Sequence, residues 1–393
     1  MNFRVLLSLS LPVVFTAALG CSAETTTDTP EAQEQLFEES RCEDAAEVCD
    51  RFGRVDPANR APAYELGDGT KEPTLTVVYQ GPENTQPIDV EFNPRSPREL
   101  WIAHYASSHF AVVNNPGTKN AEVIARRDIA YGHFAYRPPG FAFGTIQPEF
   151  GQQFGICGDN NNGGNKFMGP TLFTANLEIY GIFQNPETRL GSHLDMLHST
   201  SFCRGITWAG TGNQYILFNS DQGSIDWYDF RKDHGLGWED HSDGVIRRFW
   251  NRQVKGVDGL VSHLSWNAQD NLVYVADTGN KRILVLDTTD ARMVAPLPGV
   301  EPIAERAYFE APLKVLVDTG LEAPSGIEAN GGLAFVTDAL TSKIHAFDLK
   351  TGELVRTLDT HLPPASLAGL NFGPDGKIYF VDRLTSRVLR IDP

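Results

Sequence analysis

Asn271-Leu-Val-Tyr-Val-Ala-Asp-Thr-Gly-Asn-Lys-Arg-Ile-Leu-Val-Leu-Asp287 is the stretch that decides the fold. Two short runs rich in Val, Leu, Ile and Tyr flank a Thr-Gly-Asn turn, which is how a tight β-hairpin is written in sequence. The layout recurs in Gly332-Leu-Ala-Phe-Val-Thr-Asp338 followed by Lys343-Ile-His-Ala-Phe-Asp348, and in Lys377-Ile-Tyr-Phe-Val-Asp382 followed by Arg387-Val-Leu-Arg-Ile-Asp392. An alternating apolar strand precedes each pair, at 262–266, 325–329 and 368–372. Weaker copies lie upstream, at 88–93 with 99–114, 140–144 with 154–159, and 205–208 with 214–229. Six units in the 321 residues of 73–393 give 53.5 residues each, enough for a four-stranded sheet with some long loops. This predicts an all-β, six-bladed β-propeller. The chain ends after a third strand, and Leu75-Thr-Val-Val-Tyr79 is a spare strand ahead of the first repeat. It is expected to complete the last blade and so remove an exposed sheet edge.

The units resemble the NHL repeat, whose pattern is close to Gly-Ile-x-Val, then Leu-Tyr-Val-Ala-Asp-Thr-Gly-Asn, then Arg-Ile. The match is fullest at 271–287 and partial elsewhere. The resemblance implies the same six-bladed propeller.

Composition narrows the function. The chain has 50 acidic and 33 basic side chains, a net charge of −17. Nucleic-acid binding and electrostatic docking on anionic lipid both need a basic face, so neither fits. Apolar content of 41% with 21% charge excludes a disordered chain.

Residues 1–21 read as an export signal. Arg4 precedes a mostly apolar run over 5–19, broken by Pro12 and shorter than the roughly 20 residues of a spanning helix. The run ends in Ala18-Leu-Gly-Cys21, which resembles the lipobox of bacterial lipoproteins. That resemblance implies a lipidated Cys21 as first mature residue, a membrane anchor through the lipid, and, with Ser22 following, the outer membrane of a bacterial envelope. An ordinary secretory signal is the alternative, and either one exports the protein. Cys42, Cys49, Cys157 and Cys203 remain, an even set without a CxxC pair, which favours disulfides over a zinc ribbon. Aligning the repeats puts Cys157 near the end of a second strand and Cys203 just before the next inner strand, so this pair is expected to bond. Residues 22–72 hold 14 acids and 5 bases and read as a flexible acidic tether. Within it, 36–51 can form a short helix. An unbroken helix would hold Cys42 and Cys49 about 10.5 Å apart, beyond the roughly 7 Å of a disulfide, so their pairing requires a break.

Strand counting sorts the histidines. His263 starts an inner strand at a position occupied elsewhere by Asp89, Gly140, Gly205, Gly326 and Gly369. His104 ends a second strand, His133 lies ahead of the second blade, and His193 and His198 lie in Gly191-Ser-His-Leu-Asp-Met-Leu-His198. All five are expected at the top face of the propeller, with Asp89 and Asp195. The sister motif Asp233-His-Gly-Leu-Gly-Trp-Glu-Asp-His-Ser-Asp-Gly244, with His234, Asp240, His241 and Asp243, is expected at the bottom.

Imidazoles with a carboxylate suit Zn²⁺ or another divalent metal. Peptidylglycine amidating lyases are NHL-type propellers with a zinc held by histidines at the channel mouth. The resemblance implies a metal site there, but only His263 occupies the inner-strand position, so the lyase activity is not carried over. The plainer reading is that His193 and His198 bond to loop backbone and His263 packs at the channel rim. Sequence alone leaves both readings open. GxSxG, HExxH, P-loop and GxGxxG motifs are all absent.

The sequence therefore describes an extracytoplasmic, lipid-anchored, monomeric propeller that binds a small-molecule ligand or protein partner through its top face. The alternative is a metal-dependent lyase or hydrolase with His193, His198 and His263 as ligands and Asp195 or Asp89 as base. A purely structural envelope protein is the third reading.

Overall fold

The computed structural model describes residues 63–160, 168–299 and 301–393. The signal segment, Cys21, the 36–51 helix and the Cys42–Cys49 pair lie outside them. The chain forms β1 (Thr74–Gln80) and then six blades in order. Blade 1 is β2 (Pro87–Phe92), β3 (Glu99–His104), β4 (His109–Asn114) and β5 (Glu122–Arg126). Blade 2 is β6 (Phe141–Gln147), β7 (Gly151–Ile156), β8 (Thr171–Thr174) and β9 (Asp195–Met196). Blade 3 is β10 (Cys203–Trp208), β11 (Gln214–Asn219), β12 (Ser224–Asp229) and β13 (Val245–Phe249). Blade 4 is β14 (Leu264–Asn267), β15 (Leu272–Asp277) and β16 (Arg282–Leu286), followed by the hairpin β17 (Arg292–Pro296) and β18 (Glu305–Glu310), then β19 (Lys314–Val317). Blade 5 is β20 (Pro324–Asn330), β21 (Leu333–Asp338), β22 (Lys343–Asp348) and β23 (Leu354–Asp359). Blade 6 is β24 (Leu367–Phe372), β25 (Ile378–Asp382) and β26 (Arg387–Asp392).

The first strands of the six blades pack in a ring around the axis. β1 pairs antiparallel with β26, from Thr74 opposite Asp392 to Gln80 opposite Arg387, and closes the ring as the sequence predicts. The propeller is closed by hydrogen bonds between its two ends, so β26 has no free edge.

The repeat signature has a local cause. The aspartate ending each strong second strand braces its turn, and two of the three also tie it to the incoming connection. Asp338 accepts from the backbone N–H of Glu322 at 2.6 Å and of Leu340 at 3.2 Å. Asp277 accepts from Lys255 N at 2.8 Å and pairs with Arg282 at 2.8 Å, and Asp382 pairs with Arg387 at 2.7 Å. Side chains then fill the space between blades. Trp101 is fully buried, with Phe143, Phe154, Phe110 and Tyr180 rings 5.3–6.1 Å away. Phe92 meets Tyr379 and Phe372 meets Phe335 edge-on, and Trp208 meets Trp266.

The sequence did not anticipate three features. Ala63 and Leu66, expected within the tether, are buried against blades 5 and 6. Two apolar residues near acids are enough to dock a short segment, and average composition hides them. The hairpin β17–β18 leaves blade 4 and adds to blade 3, where β18 runs parallel to β13. Finally, β9 is a fourth strand of only two residues, paired through Leu172–Asp195 and Thr171–Met196.

Cys157 and Cys203 form a disulfide with Cα atoms 6.0 Å apart, joining the end of β7 to the start of β10.

Candidate functional site

Three long connections leave the outer strands of consecutive blades: 175–194 between β8 and β9, 230–244 between β12 and β13, and 287–313 between β16 and β19. They meet. His234 N donates to Leu194 O at 3.0 Å and Gly237 N to His193 O at 2.7 Å, so the second connection covers the free edge of β9. Ala304 N donates to Gly244 O at 3.0 Å and docks the hairpin on the same connection.

The result is a cluster of His193, Asp195, His198, His234, His241 and Glu301 at the seam of blades 2 and 3. His193, Asp195 and His198 are buried; His234, His241 and Glu301 are partly exposed. Asp195 Oδ1 lies 3.3 Å from His241 Nδ1 and 3.5 Å from His234 Nε2. His198 Nδ1 meets Glu301 Oε2 at 2.5 Å, and His198 N donates to Glu301 Oε1 at 2.9 Å. Asp195, His234 and His241 each present one ligand atom within 4.8 Å of the others, as do His198, His241 and Glu301. His133 sits on the short helix α1 (Tyr131–Phe134) with its ring 6.3 Å from that of His198, and Phe134 stacks on His193 at 3.7 Å.

Burial dominates the electrostatics. It holds His193 at about 3 and His234 at about 4, so both are neutral at neutral pH. It pushes Asp195 up to about 7 against the opposing hydrogen bond and charge of His241. Burial also disfavours charge on His241, but the hydrogen bond to Asp195 and the Glu301 carboxylate outweigh it and raise its pKa. For Glu301 the order is reversed: burial pushes up, and the His198 hydrogen bond prevails and lowers it.

This placement corrects the sorting by strand count. His193 and Asp195 do not precede an inner strand. Asp195 begins the fourth strand of blade 2 and His193 lies two residues ahead of it; that strand is too short to show in sequence, and so both join the motif expected at the opposite face. Asp240 is exposed and accepts from Ser242, Asp243 accepts from Lys232 N, and neither belongs to a ligand triplet. Glu301 had no signal at all, because its hairpin has no counterpart in the other repeats.

His263 is elsewhere. Three strand spacings of about 4.8 Å, roughly 14 Å, separate β9 from the inner strand β6. His263 lies beyond β6, on the axis, where its Nε2 donates to Pro139 O at 2.9 Å and its Nδ1 is 3.6 Å from Asp89 Oδ1. The glycines at the equivalent inner positions are needed for this. A Cβ on Gly369 would lie 2.2 Å from Asp89 Oδ1, and one on Gly205 would lie 2.3 Å from Ser262 O. The strands therefore converge until Asp89 and His263 fill the axis. Both ring nitrogens of His263 face protein groups, so it packs the channel. His104 is likewise a core residue, bonded to Tyr79 Oη at 3.1 Å and Thr85 Oγ1 at 2.9 Å and held by burial at about 3.

The channel mouth above Asp89 and His263 carries arginines. Arg204 pairs with Asp159 and with Asp258, and Tyr105 donates to Asp159 Oδ2 at 2.7 Å. Arg383, in the turn after β25, donates through Nη1 to Gly259 O, while its Nε is buried without a hydrogen-bond partner. Among the described residues no carboxylate pairs with Arg383, and burial lowers its pKa. Leu384 beside it and Leu340 in the matching turn of blade 5 are both about half exposed, at 51% and 50%.

No family model and no curated protein matches this sequence. Solved structures match by shape. An auxiliary nutrient binding protein from Bacteroides ovatus aligns over 85% of this chain and 75% of its own at 12% identity, with a TM-score of 0.53. One from Bacteroides thetaiotaomicron aligns over 81% and 76% at 12% identity, with a TM-score of 0.51. Virginiamycin B lyase from Staphylococcus aureus aligns over 82% and 89% at 12% identity, with a TM-score of 0.45. The sheet order and the likeness to the two Bacteroides proteins define the class: the chain is a six-bladed β-propeller.

Proposed function

We propose that the protein is an exported, lipid-anchored binding propeller that takes an anionic ligand with an apolar portion at its channel mouth. Arg383 carries this reading. A half-buried guanidinium is costly without an anion, and among the described residues this one has no carboxylate partner and leaves Nε unbonded. The exposed Leu384, next to it in sequence, would receive apolar surface. Two propellers of this architecture are nutrient binding proteins, a use the scaffold permits. The Ala18–Cys21 motif and the Cys157–Cys203 bond support export into an oxidising envelope compartment, with Cys21 as the anchor. The alternative enzyme, with histidines at the channel mouth, loses its support because the histidine there, His263, is engaged by Pro139 and Asp89.

The test is a thermal-shift panel of carboxylate- and phosphate-bearing small molecules against the mature protein, beside neutral analogues. Stabilisation by anionic members that disappears in Arg383→Gln supports the reading. Stabilisation by neutral members alone, or by none, overturns it.

A further inference from the structure

We propose that Asp195, His234 and His241 bind one divalent transition-metal ion of the Zn²⁺ type at the seam of blades 2 and 3, clamping the 230–244 connection onto the outer strand of blade 2.

The argument starts with hydrogen positions. His234 Nδ1 is 3.0 Å from Gly235 O. A carbonyl only accepts, so the ring proton sits on Nδ1 and Nε2 presents a bare lone pair. That lone pair is buried, has no hydrogen-bond partner, and lies 3.5 Å from Asp195 Oδ1. Asp195 is 1% exposed, and its second oxygen, Oδ2, is also buried and unbonded. Asp195 Oδ1 accepts from Met196 N at 2.7 Å and from His241 Nδ1 at 3.3 Å, so the two buried acceptors left unsatisfied are His234 Nε2 and Asp195 Oδ2, on side chains that touch. A buried acceptor left unsatisfied costs about 1–3 kcal/mol, and a cation between them would satisfy both.

The donor chemistry fits. Two imidazoles and one carboxylate leave a fourth position for water or another ligand, a set that Zn²⁺ and other first-row divalent ions accept. The ligand atoms already lie within 4.8 Å of one another, so modest rotations would bring them to the 2.0–2.2 Å of Zn–N and Zn–O bonds. His241 and His234 belong to the connection from blade 3, while Asp195 belongs to blade 2, so the ion would reinforce a contact that backbone hydrogen bonds and the His241–Asp195 bond already make. The neighbouring His198–Glu301 pair is bonded at 2.5 Å and is left as a support beside His241 rather than a second site. The site lies about three strands from the axis and is independent of the channel-mouth ligand.

The test uses the mature protein stripped with a chelator and titrated with Zn²⁺ by calorimetry, with elemental analysis of the reloaded protein. One equivalent per chain and a Zn²⁺-dependent rise in melting temperature are expected. Asp195→Asn and His241→Gln should each weaken binding by at least about 100-fold, the upper end of what supporting changes alone cost, whereas His361→Gln on the exposed surface should leave it unchanged. His241 is partly exposed, so its variant is expected to fold, which circular dichroism would check. Absence of stoichiometric binding overturns the proposal. So does binding that survives Asp195→Asn and His241→Gln, or that is lost in Glu301→Gln while Asp195→Asn retains it.

Discussion

Removing the Cys157–Cys203 bond should lower stability by about 4 kcal/mol. The two positions are 46 residues apart in sequence. Loop-closure entropy for a loop of that length is about −13.5 cal/mol/K, or about 4 kcal/mol at 25 °C. The bond lies in the core, with both cysteines at most 1% exposed, so the folded state offers little slack to absorb its loss. For a domain this large the unfolding entropy is high, and the melting temperature should fall by roughly 6 °C. The assay is scanning calorimetry of the exported protein against Cys157→Ala/Cys203→Ala, with non-reducing peptide mapping of the wild type. Free thiols at both positions, or equal melting temperatures, would refute the assignment of this crosslink and the oxidising compartment argued from it.

Other outcomes follow from buried charges and from the leader. Arg248 grips Asp226 through Nη2 at 2.6 Å and Nε at 2.8 Å, both groups being at most 3% exposed, so Asp226→Asn should cost about 3–5 kcal/mol in urea unfolding. Burial pushes Glu328 in the channel up to about 8. The folded state then holds a proton that the unfolded chain gives up at ordinary carboxylate pH, so its stability contribution is complete below about pH 4.5 and lost as pH rises through 8. The melting temperature should fall between pH 6.5 and 8.5, and Glu328→Gln should flatten that fall; an unchanged slope would contradict the assignment. Cys21→Ser should move the protein from the detergent phase to the aqueous phase on partitioning, and a variant still in the detergent phase would end the lipoprotein reading.

The fold was legible because each strong repeat carries its own hairpin, its turn-tying aspartate and its inner strand. Asp277, Asp338 and Asp382 recur at fixed offsets because each bonds backbone or an arginine in the same way. Ring closure by 75–79 was legible because a missing fourth strand must be supplied from somewhere. The candidate site was only partly legible. The residue types were visible in His193, Asp195, His198, His234 and His241, but their meeting depends on β9. A two-residue strand has no periodicity to read, and its edge is met by the backbone of the 230–244 connection and by His241. Glu301 arrives on a hairpin that switches blades, a long-range pairing with no local signal. His263 stood out because it replaces glycine, and the same glycines explain why it packs the axis and is not free to hold a metal.

The central claim is that an anionic ligand binds at the channel mouth through Arg383. Calorimetric titration of wild type and Arg383→Gln with the strongest anionic ligand from the panel tests it most directly. A hydrogen bond to a charged group contributes about 1.5–3 kcal/mol, and each 1.4 kcal/mol is about tenfold in affinity. One site per chain is predicted, with binding weakened about 10- to 100-fold in the variant. Equal affinities in the two proteins would contradict the claim.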